Sequence, residues 1–231
     1  MRLQELAQVA PYHDTLNPSL WDNGQLITEV RYKLLMIARH FANFLKVSKL
    51  NLKDITISGS NAGYGYSEFS DIDLHLVVEG AADQAELFTA KKNQYNFTYD
   101  LKIAGIPVEL YVQDAAQTHH SAGIYSLLND QWLSKPKHNA PVVSEREVRS
   151  KARSYAGQIN QALRSNNLAK CEETMEHIYR LRKAGLEASG EFSVENLAFK
   201  LLRDRGQINK LRKYIDKLQS AELSLEDQYE G

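Results

Sequence analysis

Asp71 and Asp73 stand two residues apart in Ser70-Asp71-Ile72-Asp73-Leu74-His75-Leu76-Val77-Val78, a run whose β-branched and aliphatic content predicts a strand. Strand positions two apart point to the same face, about 6.5 Å from one another. The intervening Ile72, Leu74 and Leu76 are apolar, so the two carboxylates sit together on a strand with little else to solvate them. Paired carboxylates repel, and a divalent cation is the simplest way to neutralise them. Upstream, Ile55-Thr56-Ile57-Ser58 reads as another strand, ending at Gly59-Ser60, with a ten-residue spacer before Asp71. A glycine there lets the backbone turn tightly and approach a ligand, and the amides and hydroxyl that follow can bind phosphate oxygens. Gly59, Ser60 and Ser70 are the candidate phosphate-binding residues. The competing reading is an ordinary turn in which Ser60 caps a helix.

A Gly-Ser turn after one strand, a spacer and a hydrophobic-flanked Asp-x-Asp on the next resembles the DNA polymerase β-type nucleotidyltransferase superfamily. That resemblance implies a third carboxylate on a later strand. Glu109, the single acid in Pro107-Val108-Glu109-Leu110-Tyr111-Val112, is the favoured candidate. Asp100, in Thr98-Tyr99-Asp100-Leu101, is its competitor. Two further runs, Leu16-Asn17-Pro18-Ser19-Leu20-Trp21-Asp22 and Val108-Glu109-Leu110-Tyr111-Val112-Gln113-Asp114, are similar to nucleotidyltransferases predicted in large tailed phages. The resemblance implies that Asp71, Asp73 and Glu109 bind two Mg²⁺ ions, or Mn²⁺ in their place, and that Gly59 and Ser60 fix a nucleoside triphosphate. The implied reaction moves a nucleoside monophosphate to a hydroxyl and releases pyrophosphate. The acceptor is left open between RNA, with tRNA one such acceptor, and a protein or small molecule. A non-catalytic binding module that keeps the fold is the third possibility.

Hydrophobic residues make up 43% of the 231 and charged residues 25%, a balance that can bury a core in an ordinary globular protein. A single cysteine, Cys171, excludes an internal disulfide and a cysteine-based zinc site, and suits a reducing cytoplasm, the host's if the chain is phage-encoded. No stretch reaches the roughly 18 apolar residues of a membrane span, and the amino terminus lacks the apolar core of a secretory signal. Net charge is −1, yet between Glu145 and Lys217 sixteen Lys/Arg face ten Asp/Glu, leaving an acidic front half and a basic rear half.

The expected architecture is α+β: a small mixed sheet with packed helices over residues 1–141, then an all-helical domain over residues 142–231. An apolar stripe at helical spacing predicts a helix over residues 26–45. A helix over 81–92, a hairpin of 96–103 and 107–113 about Gly105, and a short packed helix within 114–141 follow. Beyond Pro136 and Pro141, Ser144-x-x-Glu147 has capping-box spacing and opens a helix to about residue 164. A second helix is expected over 168–183 with Gly185 as its C-cap, and a third from Ser193 to about residue 220, kinked or broken at Gly206.

Other residues carry weaker chemistry. His75 shares the face of Asp71 and Asp73, but a structural histidine is the commoner outcome. His119-His120 fits a loop pair better than a zinc site. Tyr64, Tyr66 and Phe69 are equally suited to stacking on a base or packing in a core. Lys135, Lys137 and His138 read first as solvated. Lys200, Arg203, Lys210, Lys213 and Lys217 form a basic stripe on the third helix, a candidate RNA-facing surface.

Overall fold

A computed structural model describes residues 12–47, 50–117, 121–138 and 142–224. The chain divides into two compact units, one of Pro11–Ala140 and one that takes in Pro141–Gly231.

The first unit is mixed α+β. A short hairpin, β1 (Trp21–Asp22) and β2 (Gln25–Leu26), turns through Asn23 and Gly24, both at positive φ. Helix α1 (Thr28–Leu45) follows, so Leu26 belongs to the hairpin and the predicted helix starts two residues later. Its buried residues Val30, Leu34, Ala38, Phe41 and Leu45 recur at helical spacing and pack on the sheet. Fully burying side chains of the size of Leu or Phe contributes about 1.5–3 kcal/mol each.

The main sheet, separate from that hairpin, has six strands, β3 (Leu52–Ser58), β4 (Ile72–Val78), β5 (Lys102–Ile103), β6 (Ile106–Asp114), β7 (Ile124–Ser126) and β8 (Gln131–Ser134), in the order β5-β6-β4-β3-β7-β8. Among the described residues only β4 and β6 run parallel, joined by the crossover helix α2 (Ala85–Thr98). In β4, Ile72, Leu74, Leu76 and Val78 are buried, which hands the opposite face to Asp73, His75 and Val77.

Two expectations fail here. Residues 96–98 form the last turn of α2 and not a strand, because Tyr95 is buried against Phe41 and Phe44 and holds the helix on. Asn96 then does a strand's work from the helix: its side-chain amide donates to the Leu110 carbonyl and its oxygen accepts from the Leu110 N–H, both at 3.1 Å. The packed helix expected within 114–141 is replaced by β7 and β8. Ser126 and Tyr125 pair with Thr56 and Ile57, and the Arg31 guanidinium fastens the β7–β8 turn by donating to the Leu127 carbonyl at 2.8 Å.

The second unit is all-helical: α3 (Glu145–Ser165), α4 (Leu168–Ser189), α5 (Val194–Asp204) and α6 (Gln207–Leu223). Ser144 caps α3 by accepting from the Glu147 N–H, and Ser193 caps α5 through Asn196. Gly206, at φ 70°, breaks the predicted third helix into α5 and α6. Gly185 is not a cap. It is buried inside α4, and the positive-φ terminus falls at Gly190, φ 73°. The reason is close packing: a Cβ at Gly185 would lie 2.8 Å from the Glu195 Cβ and 2.9 Å from the Ser193 Oγ. Cys171 is buried, and burial pushes its thiol pKa up, away from reactivity.

Gly185→Ala is therefore expected to cost about 1–3 kcal/mol by overpacking. Gly157→Ala, in mid-α3 where an added Cβ meets nothing within 4 Å, should gain up to about 1 kcal/mol from helix propensity. Urea unfolding followed by circular dichroism reads both, and effects of the same sign would contradict this packing.

Candidate metal centre

The sheet register builds the site. Ser58 pairs with Asp73 and Asp73 with Glu109, so three polar residues line up across β3, β4 and β6 on one face. Asp71, just before β4, joins them. One carboxylate oxygen each from Asp71, Asp73 and Glu109 lies within 4.8 Å of the others, and all three residues are half-buried. Three hard oxygen donors around one point suit a hard divalent cation. Asp100 is elsewhere: its carboxylate pairs with Lys102 at 2.8 Å on the surface.

Glu109 shows the strain of the arrangement. Its pKa is raised, first by burial and further by Asp71, against the lowering effects of a Tyr111 hydrogen bond and of Lys92. Burial, with Asp73 and Glu109 adding to it, likewise pushes the Tyr111 phenol far above its usual range.

The Gly-Ser turn abuts the same acids. Gly59 has φ 74°, and a Cβ built on it would come 1.8 Å from the Asp73 Oδ2, so no other residue fits while Asp73 points into the triangle. The Gly59 N–H donates to the Ser121 Oγ at 3.0 Å. The Ser60 hydroxyl donates to the Ser70 Oγ at 2.9 Å, and Ser70, itself buried, also accepts from the Ser67 N–H. Within this loop Ser70 serves as a brace that sets the direction of Ser60.

Asn61, which sequence reasoning missed, ties this loop together. Its amide donates to the Asp71 carbonyl at 2.8 Å, its side-chain oxygen accepts from Asn17, and its carbonyl accepts from the Trp21 indole N–H at 2.8 Å. Trp21 in turn stacks on Trp132, centroids 4.6 Å apart. The position of Asp71 is thus set by an aromatic cluster far from it in sequence. Nothing in a lone asparagine signals such a role.

His75 takes the structural option: Nε2 lies 3.1 Å from the Ser58 Oγ, and the ring stacks on Tyr111. Tyr66 stacks on His13 and Tyr64 packs on His138, while Phe69 is exposed. Lys135 and Lys137 are exposed. His119-His120 lie outside the described residues. The basic stripe does not survive as one face. Lys200 is half-buried, Arg203 pairs with Asp204 at 3.3 Å, and the break at Gly206 leaves Lys210, Lys213 and Lys217 exposed on α6.

No protein-family model matches the chain, and no curated protein matches it. Among solved structures, the STING-associated CdnE c-di-GMP synthase from Capnocytophaga granulosa aligns over 85% of this chain and 84% of its own, at 12% identity and a TM-score of 0.25. That superposition is too loose to carry an assignment, which rests on the site. No helix among the described residues is long and apolar enough to cross a membrane.

Gly59→Ala is expected to cost about 1–3 kcal/mol in backbone strain, and to turn Asp73 out of the triangle. Thermal melts with EDTA and with Mn²⁺ test it: Mn²⁺ should raise the melting temperature of the wild type but not of the variant. An alanine variant that Mn²⁺ stabilises like wild type would contradict the geometry.

Proposed function

We propose that the first unit is a divalent-metal-dependent nucleotidyltransferase of the polymerase β type. The observation that carries this reading is the convergence of Asp71, Asp73 and Glu109 beside the Gly59-Ser60 turn. Asp71, Asp73 and Glu109 would hold the metal. When bound, it would supply charge neutralisation and activate the attacking oxygen. The chain's own residues do the rest. The turn at Gly59 brings backbone against the acids, where a triphosphate can lie close to them, and Ser60, braced by Ser70, offers a hydroxyl to a phosphate oxygen. Asn61 keeps Asp71 in register. An acceptor oxygen then bonds to the α-phosphorus, the bond from phosphorus to the departing oxygen breaks, pyrophosphate leaves, and the acceptor's proton is released to water.

RNA is the finer reading of the acceptor, and its support is the exposed Lys210, Lys213 and Lys217, three residues and then four apart along α6. Lysines so spaced share a helix face and can neutralise successive phosphates, which would make binding salt-sensitive.

The test incubates the protein and cell extract with each labelled NTP and Mg²⁺ or Mn²⁺. Label should appear on an acceptor with matching pyrophosphate release. Asp73→Asn should lower both by at least about 100-fold, because the amide cannot balance the ion's charge, and should leave the fold intact. Asp100→Asn should change neither. Label on RNA supports the finer reading, and label on protein or a small molecule replaces it. No metal-dependent product from any NTP would reject the enzymatic reading.

A further inference from the structure

Two residues outside the carboxylate triangle flank Glu109. Tyr111 lies two positions along β6, on the same face. The Tyr111 ring has little freedom. Across the sheet, His75 stacks on it at a centroid distance of 4.9 Å and an interplanar angle of 16°, and is itself tied to Ser58. From α2, the Lys92 ammonium reaches to 3.9 Å from the Glu109 Oε1 and 4.7 Å from the centre of the Tyr111 ring.

The two neighbours differ in kind. A neutral phenol on a fixed ring can orient a carboxylate beside it by donating to one oxygen, and it leaves the other lone pairs free. An ammonium on a flexible four-carbon stem is a cation, and it occupies the electrostatic role that an ion at the triangle would take over. A cavity of about 250 Å³, lined in part by Phe88, Thr89, Lys92, Tyr111 and Val112, borders the lysine and gives it room to withdraw. Asp114, also on that wall, does not capture it, because its carboxylate accepts from the Ala82 and Ala116 N–H groups at 2.8 Å.

We infer that Tyr111 is a positioning residue that aims Glu109 at a divalent ion, and that Lys92 is a placeholder cation that neutralises Glu109 until the ion displaces it. The inference rests on the metal centre proposed above. It predicts opposite signs for adjacent side chains: losing the aim weakens ion binding, and losing the competitor strengthens it.

The experiment measures Mn²⁺ affinity of the full chain by titration calorimetry or by the free-Mn²⁺ EPR signal, without nucleotide, alongside melting in EDTA. Tyr111→Phe should bind Mn²⁺ about 10–100-fold more weakly while melting near wild type in EDTA. Lys92→Met should bind several-fold more tightly, yet melt lower in EDTA because Glu109 has lost its counter-charge. A purely structural role for Tyr111 would lower the EDTA melt without moving the affinity. Variants that bind Mn²⁺ as wild type does, or a Lys92→Met that binds more weakly, overturn the inference and leave the metal centre standing. A wild type that binds no Mn²⁺ overturns both.

Discussion

Like charges forced together govern the first unit. Two unit charges about 4 Å apart interact by about 4 kcal/mol at an effective dielectric near 20, and Asp71, Asp73 and Glu109 offer three. A fold does not hold such a group in place without reason. Here the holding is extensive: the parallel register of β4 and β6 sets Asp73 against Glu109, Gly59 leaves the space that the Asp73 oxygen fills, and Asn61 anchors the backbone at Asp71. Every one of these devices works against carboxylate repulsion, and a bound dication would relieve it.

The scaffold follows from that need. A crossover helix must link β4 to β6 for the two to run parallel, and α2 supplies it while delivering Lys92 to the acids and Asn96 to the sheet edge. The hairpin at Trp21 and the strands β7 and β8, far apart in sequence, meet in one aromatic stack that braces the Gly-Ser loop. Residues at the margin of the fold thereby set side-chain positions at its centre.

Legibility from sequence followed the range of the interactions. The Asp71–Asp73 pair, the Gly59-Ser60 turn and the α1 stripe were readable because period-two and helical spacing are local properties. Tyr111 was within reach by the same rule, being two residues from Glu109 on one strand. Lys92, Asn61 and Trp21 were not, since their roles come from contacts across 17, 10 and 40 residues of chain and their types are unremarkable. Residues 96–98 misread as strand because their composition is indifferent and the burial of Tyr95 decides the matter. Gly185 misread as a cap because a glycine required by close packing and one required by positive φ look the same in sequence. The basic stripe failed for a related reason: helical spacing was carried across Gly206, where the helix ends.

The most direct test of the central claim is a crystal soaked in Mn²⁺, with the anomalous signal collected from the metal. The account predicts manganese bonded to carboxylate oxygens of Asp71, Asp73 and Glu109 together, beside the Gly59-Ser60 turn. Manganese bound at some other place, or an Asp71 or Glu109 carboxylate turned out of the group while the ion is present, would contradict it.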